Sequence, residues 1–367
     1  MDPTWLPVFW AGVIAFAILV YVILDGYDLG VGILFGTTRN EQHRATMMNA
    51  IAPFWDGNET WLVLIGAGLF AAFPMVYAIF LPAFYLPIAL MLFGLIFRGI
   101  AFEFRYRSER MRPVWDWGFF LGSLVATFVQ GAAIGRMVQE LPVVDGRYVG
   151  GAFEWVTPFS LLCGVGLVLG YSLLGAAWLV LKTEGHLRDW AYHRLDWLLA
   201  AVIVVLIAVF TFALATQLRV LDRWLVDPRL VSLQLLGVIA VVGLVLGVRQ
   251  RRDGMPFAMA ILLVTSAFLR LGVSFWPYMI PYSVTVQEAA APKQSLEFLF
   301  WGAGVIVFPV VLIYTAVVYW IFRGKVGKVA PAYANSAGGG TARRPPPSPT
   351  AERGISTSRS NTRSSLL

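Results

Sequence analysis

The 367-residue chain is 58% hydrophobic and only 13% charged, against roughly 45–50% apolar and 25% charged residues in soluble domains, so a soluble fold is excluded and an integral membrane protein is implied. Its formal net charge of +7 needs no nucleic-acid partner, because basic residues at the inner ends of membrane helices and anionic membrane lipids account for an excess of this kind. The single cysteine, Cys163, rules out an intrachain disulfide and a multi-cysteine metal site, and reads as a small buried hydrophobe.

Apolar runs long enough to cross about 30 Å of hydrocarbon as helices fall at roughly 8–30, 60–77, 79–102, 116–138, 158–181, 196–218, 230–248, 257–277 and 298–322. They predict an all-α polytopic bundle of about nine transmembrane helices. The second and third runs form one apolar stretch interrupted by Pro74, Pro82 and Pro87, so the turn between them is expected to be very short. Met1-Asp2-Pro3-Thr4-Trp5 lacks the basic n-region of a signal peptide, and the first helix is expected to stay as an anchor. The longest connections are expected at 37–57, 139–157 and 278–296. Residues 1–330 then make one transmembrane helical domain. Beyond it, Gly338-Gly339-Gly340 and Pro345-Pro346-Pro347 mark a composition unable to offset its ordering entropy, so 331–367 is expected to be a disordered cytoplasmic tail. Tryptophans at the run ends, such as Trp5, Trp55, Trp115 and Trp301, read as interface anchors.

Orientation follows from the basic residues. With the N-terminus outside, inner segments hold 21 Lys and Arg and outer segments 6, with Arg270 inside a helix, which puts the C-terminus in the cytoplasm. No internal repeat is visible, which weakens a reading built on inverted transporter repeats.

Carboxylates in a membrane are costly and rarely lack a task. The first run ends in Asp25-Gly26-Tyr27-Asp28-Leu29-Gly30 and the second opens with Asp56-Gly57-Asn58-Glu59; each carries acids at i and i+3, on one helix face. Gly26 and Gly30 form a small-xxx-small pair that admits another helix backbone closely. Asp56 and Glu59 also suit a helix N-terminus, where the macrodipole stabilises acids, so a cap explains one of them but not both. The third run brings Arg98 and Glu103 to the same face. Arg98 is the natural counter-charge for Asp25 or Asp28, and a purely structural pairing competes evenly with a functional one. Acids at one depth, partly desolvated, would form a water-lined entry for protons. His43, His186 and His193 all fall outside the predicted crossings, so the chain lacks axial histidines for intramembrane haem. Methionines Met75, Met91 and Met137 read as packing.

At these residues the chain resembles subunit II of the cytochrome bd-type quinol oxidases. The matching signatures are Asp25-Gly26-Tyr27-Asp28-Leu29-Gly30-Val31-Gly32, Ile51-Ala52-Pro53-Phe54-Trp55-Asp56-Gly57-Asn58-Glu59-Thr60-Trp61-Leu62, Phe70-Ala71-Ala72-Phe73-Pro74, Phe97-Arg98, Trp115-Asp116-Trp117-Gly118 and Pro309-Val310-Val311-Leu312-Ile313-Tyr314-Thr315-Ala316. The likeness is strong over roughly 20–120 and weaker but colinear to about 322. It implies a nine-helix bundle in the bacterial cytoplasmic membrane, packed as an obligate heterodimer against a subunit I that holds haem b, haem d and the quinol site. It further implies a respiratory terminal oxidase that takes electrons from quinol, reduces dioxygen to water and draws protons from the cytoplasm. Asp56 and Glu103 match family positions along that proton path, with Glu59, Asp25 and Asp28 as further candidates. Some members have Asp where this chain has Glu103, which keeps the charge but moves it by one methylene. Small single-helix accessory subunits, and a structural quinone or lipid in a groove of this subunit, are also consistent with the resemblance. No catalytic residue and no metal ligand is expected in this chain itself.

A proton-coupled secondary transporter is the main alternative, since that class also keeps acids within helices; its acids would lie near the midplane instead of at one face. A membrane scaffold with every acid paired is a second.

Overall fold

The computed structural model describes residues 5–107, 110–221 and 228–326; the tail expected at 331–367 lies outside the described residues. Helix α1 (Trp5–Gly36) carries the whole first acidic motif within regular helix, so Gly26, Gly30 and Gly32 are interior positions and not turns. After it, α2 (Glu41–Ile51) starts where the Asn40 side chain accepts from the His43 backbone N–H, a cap that satisfies an otherwise orphan donor. Helices α3 (Trp55–Ala72), α4 (Pro74–Ala83), α5 (Tyr85–Phe104) and α6 (Arg112–Val138) follow. A hairpin of β1 (Val143–Val144) and β2 (Arg147–Tyr148) leads to α7 (Pro158–Lys182), whose start is fixed by a reciprocal Thr157–Ser160 capping box. Then come α8 (Gly185–Ala215), α9 (Pro228–Arg249) and α10 (Gly254–Phe275). A second hairpin, β3 (Tyr278–Ile280) with β4 (Val284–Thr285), precedes α11 (Val286–Ala289) and α12 (Lys293–Leu299). A π-wound stretch, Phe300–Val307, runs on into α13 (Phe308–Ile321); Pro309 lacks the N–H that would bond back one turn.

The fold is all-α, with small hairpins only at connections. Among the described residues eight helices are long and apolar enough to cross a membrane: α1, α5, α6, α7, α8, α9, α10 and the composite Lys293–Ile321. The expected crossing at 60–77 takes another form. Its apolar stretch is divided between α3 and the ten-residue α4, because Pro74 denies a helical bond to the preceding turn and drives Phe73 out of helical geometry, to φ −136°, ψ 63°. The polar first turns of α3 keep it outside the apolar set. Helix α8 begins eleven residues before its apolar run, since hydropathy marks where a helix enters lipid and not where its hydrogen bonding begins. The three expected long connections hold α2 and the two hairpins.

Backbones approach closely at small residues, which is how helices pack without a hydrophobic driving force in lipid. A methyl on Gly30 would overlap the Tyr171 carbonyl oxygen, and one on Gly175 would lie 2.5 Å from the Gly30 carbonyl carbon, so α1 and α7 meet there at backbone distance. A methyl on Gly94 would lie 2.7 Å from the Gly122 carbonyl oxygen, joining α5 to α6 in the same way. Apolar clusters gather at both ends of the bundle. One, at the end that carries α2, gathers Tyr27, Phe54 and Trp178; the other, at the opposite end, gathers Trp10, Phe73, Phe84 and Ile280.

Candidate functional site

Arg98 of α5 lies completely buried at the α2 end of the bundle. Its Nη1 donates to Asp25 Oδ1 and to Glu59 Oε1, each at 2.9 Å, while Nη2 stands 3.9 Å from Asp28 Oδ2. One guanidinium thus serves three carboxylates from two helices, α1 and α3. Asp25 and Asp28 are fully buried, whereas the Glu59 side chain is 24% exposed. Buried charge on this scale is tolerated only with close pairing.

Asn58, also buried, closes the other side. Its Nδ2 donates to Asp28 Oδ2 at 2.6 Å and to the Tyr27 hydroxyl at 3.1 Å, and its Oδ1 accepts from Tyr319 of α13 at 3.1 Å. The Tyr27 and Tyr319 hydroxyls are hydrogen-bonded to each other. Toward the middle of the bundle a second polar chain runs from Gln130, which donates to Tyr21 at 3.0 Å and accepts from Tyr171 at 3.3 Å. Tyr21 and Gln130 also edge an otherwise apolar cavity of about 230 Å³, walled by Ile18, Leu62, Phe84 and Met91.

Of the residues singled out in the sequence, Asp25, Asp28, Glu59 and Arg98 come together. Asp56 and Glu103 do not join them. Asp56, one turn before Glu59 on α3, is exposed, and no ion pair is recorded for it among the described residues. Glu103 is about half exposed and, among the described residues, pairs with Arg107 one turn on, at 3.5 Å. The residues just ahead of them, Trp55 and Phe102, stack with centroids 5.3 Å apart. Gly26 and Gly30 pack on Tyr171, Gly30 most tightly. Asp56 and Glu103 therefore sit on outward faces, apart from the buried cluster: side-chain reach and helix phase, not position along the chain, set burial here.

Three further networks escape a sequence reading. Fully buried Arg105 bonds Asp116 at 2.5 Å and Glu41 at 2.7 Å, with Arg44 on Asp116 at 2.8 Å. Lys182, beneath the Phe54 and Trp178 rings, donates to the carbonyls of Phe322 and Gly324. Lys325 pairs with Asp253, which also accepts from the Tyr192 hydroxyl at 2.9 Å. Burial alone would raise the Asp253 carboxyl, but bonds from Lys325 and Tyr192 hold it below the usual carboxylate range. Charges flanking the runs were the only available signal for these contacts; their pairing is a product of the fold.

The histidines lie at the same rim: His43 on α2, near Trp190, with His186 and His193 on the first turns of α8. Partial burial and the nearby His186 push His43 down. Among the described residues no group of three His, Cys, Asp or Glu side chains is placed to hold a metal ion.

The sequence model of the family "Cytochrome bd terminal oxidase subunit II" matches residues 6–322. Cytochrome bd-I ubiquinol oxidase subunit 2 of Escherichia coli K12 is 33% identical over 359 residues, covering 87% of this chain and 94% of that protein. The cytochrome bd ubiquinol oxidase subunit 2 of Bacillus subtilis is 29% identical over 335 residues, covering 88% and 97%. In the structure of bd oxidase from Geobacillus thermodenitrificans, one chain superposes with a TM-score of 0.63 at 17% identity, covering 86% of this chain and 99% of that one, which speaks for the fold. Eight membrane-length helices among the described residues, an acidic motif in the first of them and a family match across nearly the whole helical region converge: the chain belongs to the cytochrome bd terminal oxidase subunit II family, and is a multi-pass inner-membrane subunit of a quinol oxidase complex.

Proposed function

We propose that this subunit packs against a haem-bearing subunit I and lines a proton-uptake path from the cytoplasm, supplying protons for the reduction of dioxygen to water with electrons from quinol. The observation that carries the reading is the gradation of carboxylates on α3 and α1: Asp56 exposed, Glu59 partly buried, Asp25 and Asp28 fully buried around Arg98. A proton entering at Asp56, or at Glu103 on α5, meets acids that are progressively withdrawn from water. The docking face suggested for subunit I is the one that carries these entrances. Asp56, Val63 and Phe70 fall at seven-residue spacing on α3, and Ile96 and Ile100 share the Glu103 face of α5; the apolar four are exposed, Val63 at 70%. Such an apolar stripe ending in an acid suits a partner helix better than lipid alone.

Haem b and haem d are assigned to subunit I on this reading, since the histidines of this chain stand at its rim; no step of the present mechanism runs through them. The apolar cavity beside Tyr21 and Gln130 suits a structural quinone tail or lipid chain. Single-helix accessory subunits would have the exposed faces of α9 and α13 available. A proton-coupled transporter receives no support from the comparisons.

The test is oxygen uptake per haem d with excess quinol across pH. Asp56→Asn keeps shape and removes the titratable group, so haem content stays normal while turnover falls by roughly 10²-fold, the scale of one positioned proton-transfer group. Glu103→Gln behaves alike, and the double variant is less than additive if both serve one path. Wild-type turnover in Asp56→Asn at every pH would leave Asp56 a helix-terminal acid and overturn the reading.

A further inference from the structure

With the Asn58 amide nitrogen turned to Asp28 Oδ2 and the Leu24 carbonyl, counting donors fixes the hydrogen-bond directions at the α13 side of the buried cluster. A tyrosine hydroxyl has one hydrogen and an amide has two on nitrogen and none on oxygen. Tyr319 donates to Asn58 Oδ1, so in its bond with Tyr27 it must accept. Tyr27 has then used its hydrogen, and accepts from Asn58 Nδ2. The three side chains form a closed ring with a single sense. The second Asn58 hydrogen is directed at Asp28 Oδ2, at 2.6 Å, with the Leu24 carbonyl a longer acceptor at 3.3 Å. Turning the amide over would only reverse the sense of the ring, but it would set the amide oxygen against Asp28 Oδ2 and the Leu24 carbonyl, so these two acceptors fix the orientation.

Asp28 is faced by Asp25 on its own helix, by Asn58 and Glu59 on α3, by Arg98 on α5 and by Tyr27. Arg98 spends its close contacts on Asp25 and Glu59 and stays 3.9 Å from Asp28. Asn58 is therefore the close donor to Asp28, at Oδ2, and Oδ1 is buried and meets none among the described residues. We propose that Tyr319, on the last helix, is a positioning residue: through its ring with Tyr27 and Asn58 it holds an N–H on Asp28 Oδ2 and leaves Oδ1 as the atom that receives a proton. Three residues beyond Tyr319, the Phe322 carbonyl is held by Lys182 of α7, which anchors α13 in the position the ring requires. An amide cannot readily pass a proton along, so the ring directs the carboxylate and is not itself a route. The functional part of this inference rests on the proton-path reading.

The experiment uses the complete oxidase complex and two readouts. Infrared difference spectra on changing pH give the carboxyl and carboxylate bands of Asp28, assigned as those lost in Asp28→Asn. Opening the ring with Tyr319→Phe is expected to shift those bands, and Tyr27→Phe, which opens it at the other hydroxyl, to shift them likewise; the second variant decides the matter should the first not assemble. Oxygen uptake per haem d is expected to fall about three- to tenfold in Tyr319→Phe, the scale of one hydrogen bond, and the further loss is expected to vanish in the Asp28→Asn background. Unshifted bands in both ring variants, or losses that simply multiply, would overturn the positioning role. If instead Asp28→Asn turns over like the wild type, the proton-path reading fails, and the band shift still decides whether Tyr319 positions Asp28.

Discussion

Replacing Arg98 by alanine removes the cation shared by three carboxylates. The magnitude follows from its contacts: two charge-assisted bonds at 2.9 Å, to Asp25 and Glu59, each worth about 1.5–3 kcal/mol, sum to about 3–6 kcal/mol. Removing one partner of a buried pair costs about 3–5 kcal/mol, because a charge is left unpaired away from water. Taking about 4 kcal/mol, the ratio of assembled to disrupted complex falls by roughly 10³-fold, at 1.4 kcal/mol per decade. Arg98→Lys keeps the charge but presents a compact ammonium in place of a planar guanidinium, so it loses the fixed direction of the two Nη1 bonds and the approach of Nη2 to Asp28, and recovers part of the deficit. The cost in Arg98→Ala belongs to the charges left behind. Adding Asp25→Asn and Glu59→Gln should therefore restore stability instead of lowering it further, a strongly non-additive result. The assay is yield and thermal inactivation of the detergent-solubilised complex at matched expression. Wild-type yield in Arg98→Ala, or equal losses for Ala and Lys with no rescue by the amide variants, would refute this account of the cluster.

Gly30→Ala drives a methyl into the Tyr171 carbonyl and should cost about 1–3 kcal/mol or more of helix packing, seen as a lower inactivation temperature; Gly66→Ala, with nothing within 4 Å of its added methyl, is the neutral control. The subunit expressed without partners should show no stoichiometric haem spectrum in the visible, since its histidines stand at the rim. The Lys325–Asp253 latch has a definite pH sign: a carboxyl held below its ordinary value contributes stability above the unfolded value of about 3.9, and that contribution is lost as pH falls through the lower folded value. Exchange protection of the Val326 N–H, bonded to the Lys182 carbonyl at 2.7 Å, should therefore hold from neutral pH to about 4 and weaken below it, an acid-dependent step absent from Asp253→Asn.

The buried cluster was legible in part because charge inside an apolar run is rare: Asp25, Asp28 and Arg98 each interrupt a stretch that would otherwise be read as lipid-facing. Tyr319, linked to Asp28 through Asn58, was not legible, since a tyrosine near the end of a membrane helix reads as an interface anchor, and its bond to Asn58 spans 261 positions. The Arg105–Asp116–Glu41 network was hidden for a related reason, as α2 occupies a stretch that hydropathy marks only as a connection.

Asp56 shows most clearly why spacing misleads about burial. Acids at i and i+3 do share a face, yet a face has a phase that spacing leaves undefined. In α3 that phase is set by Asn58 and Trp61, which are buried against α1 and α13. At roughly 100° per residue, Asp56 points roughly 160° away from Asn58 and Glu59 roughly 100°. Glu59 turns inward because the Arg98 guanidinium meets it at 2.9 Å; Asp56, with a shorter side chain and no ion pair among the described residues, stays on the outer face. The separation between an exposed acid and a buried one, on which the proposed entry depends, thus comes from one arginine on a neighbouring helix and from the rotational phase of α3.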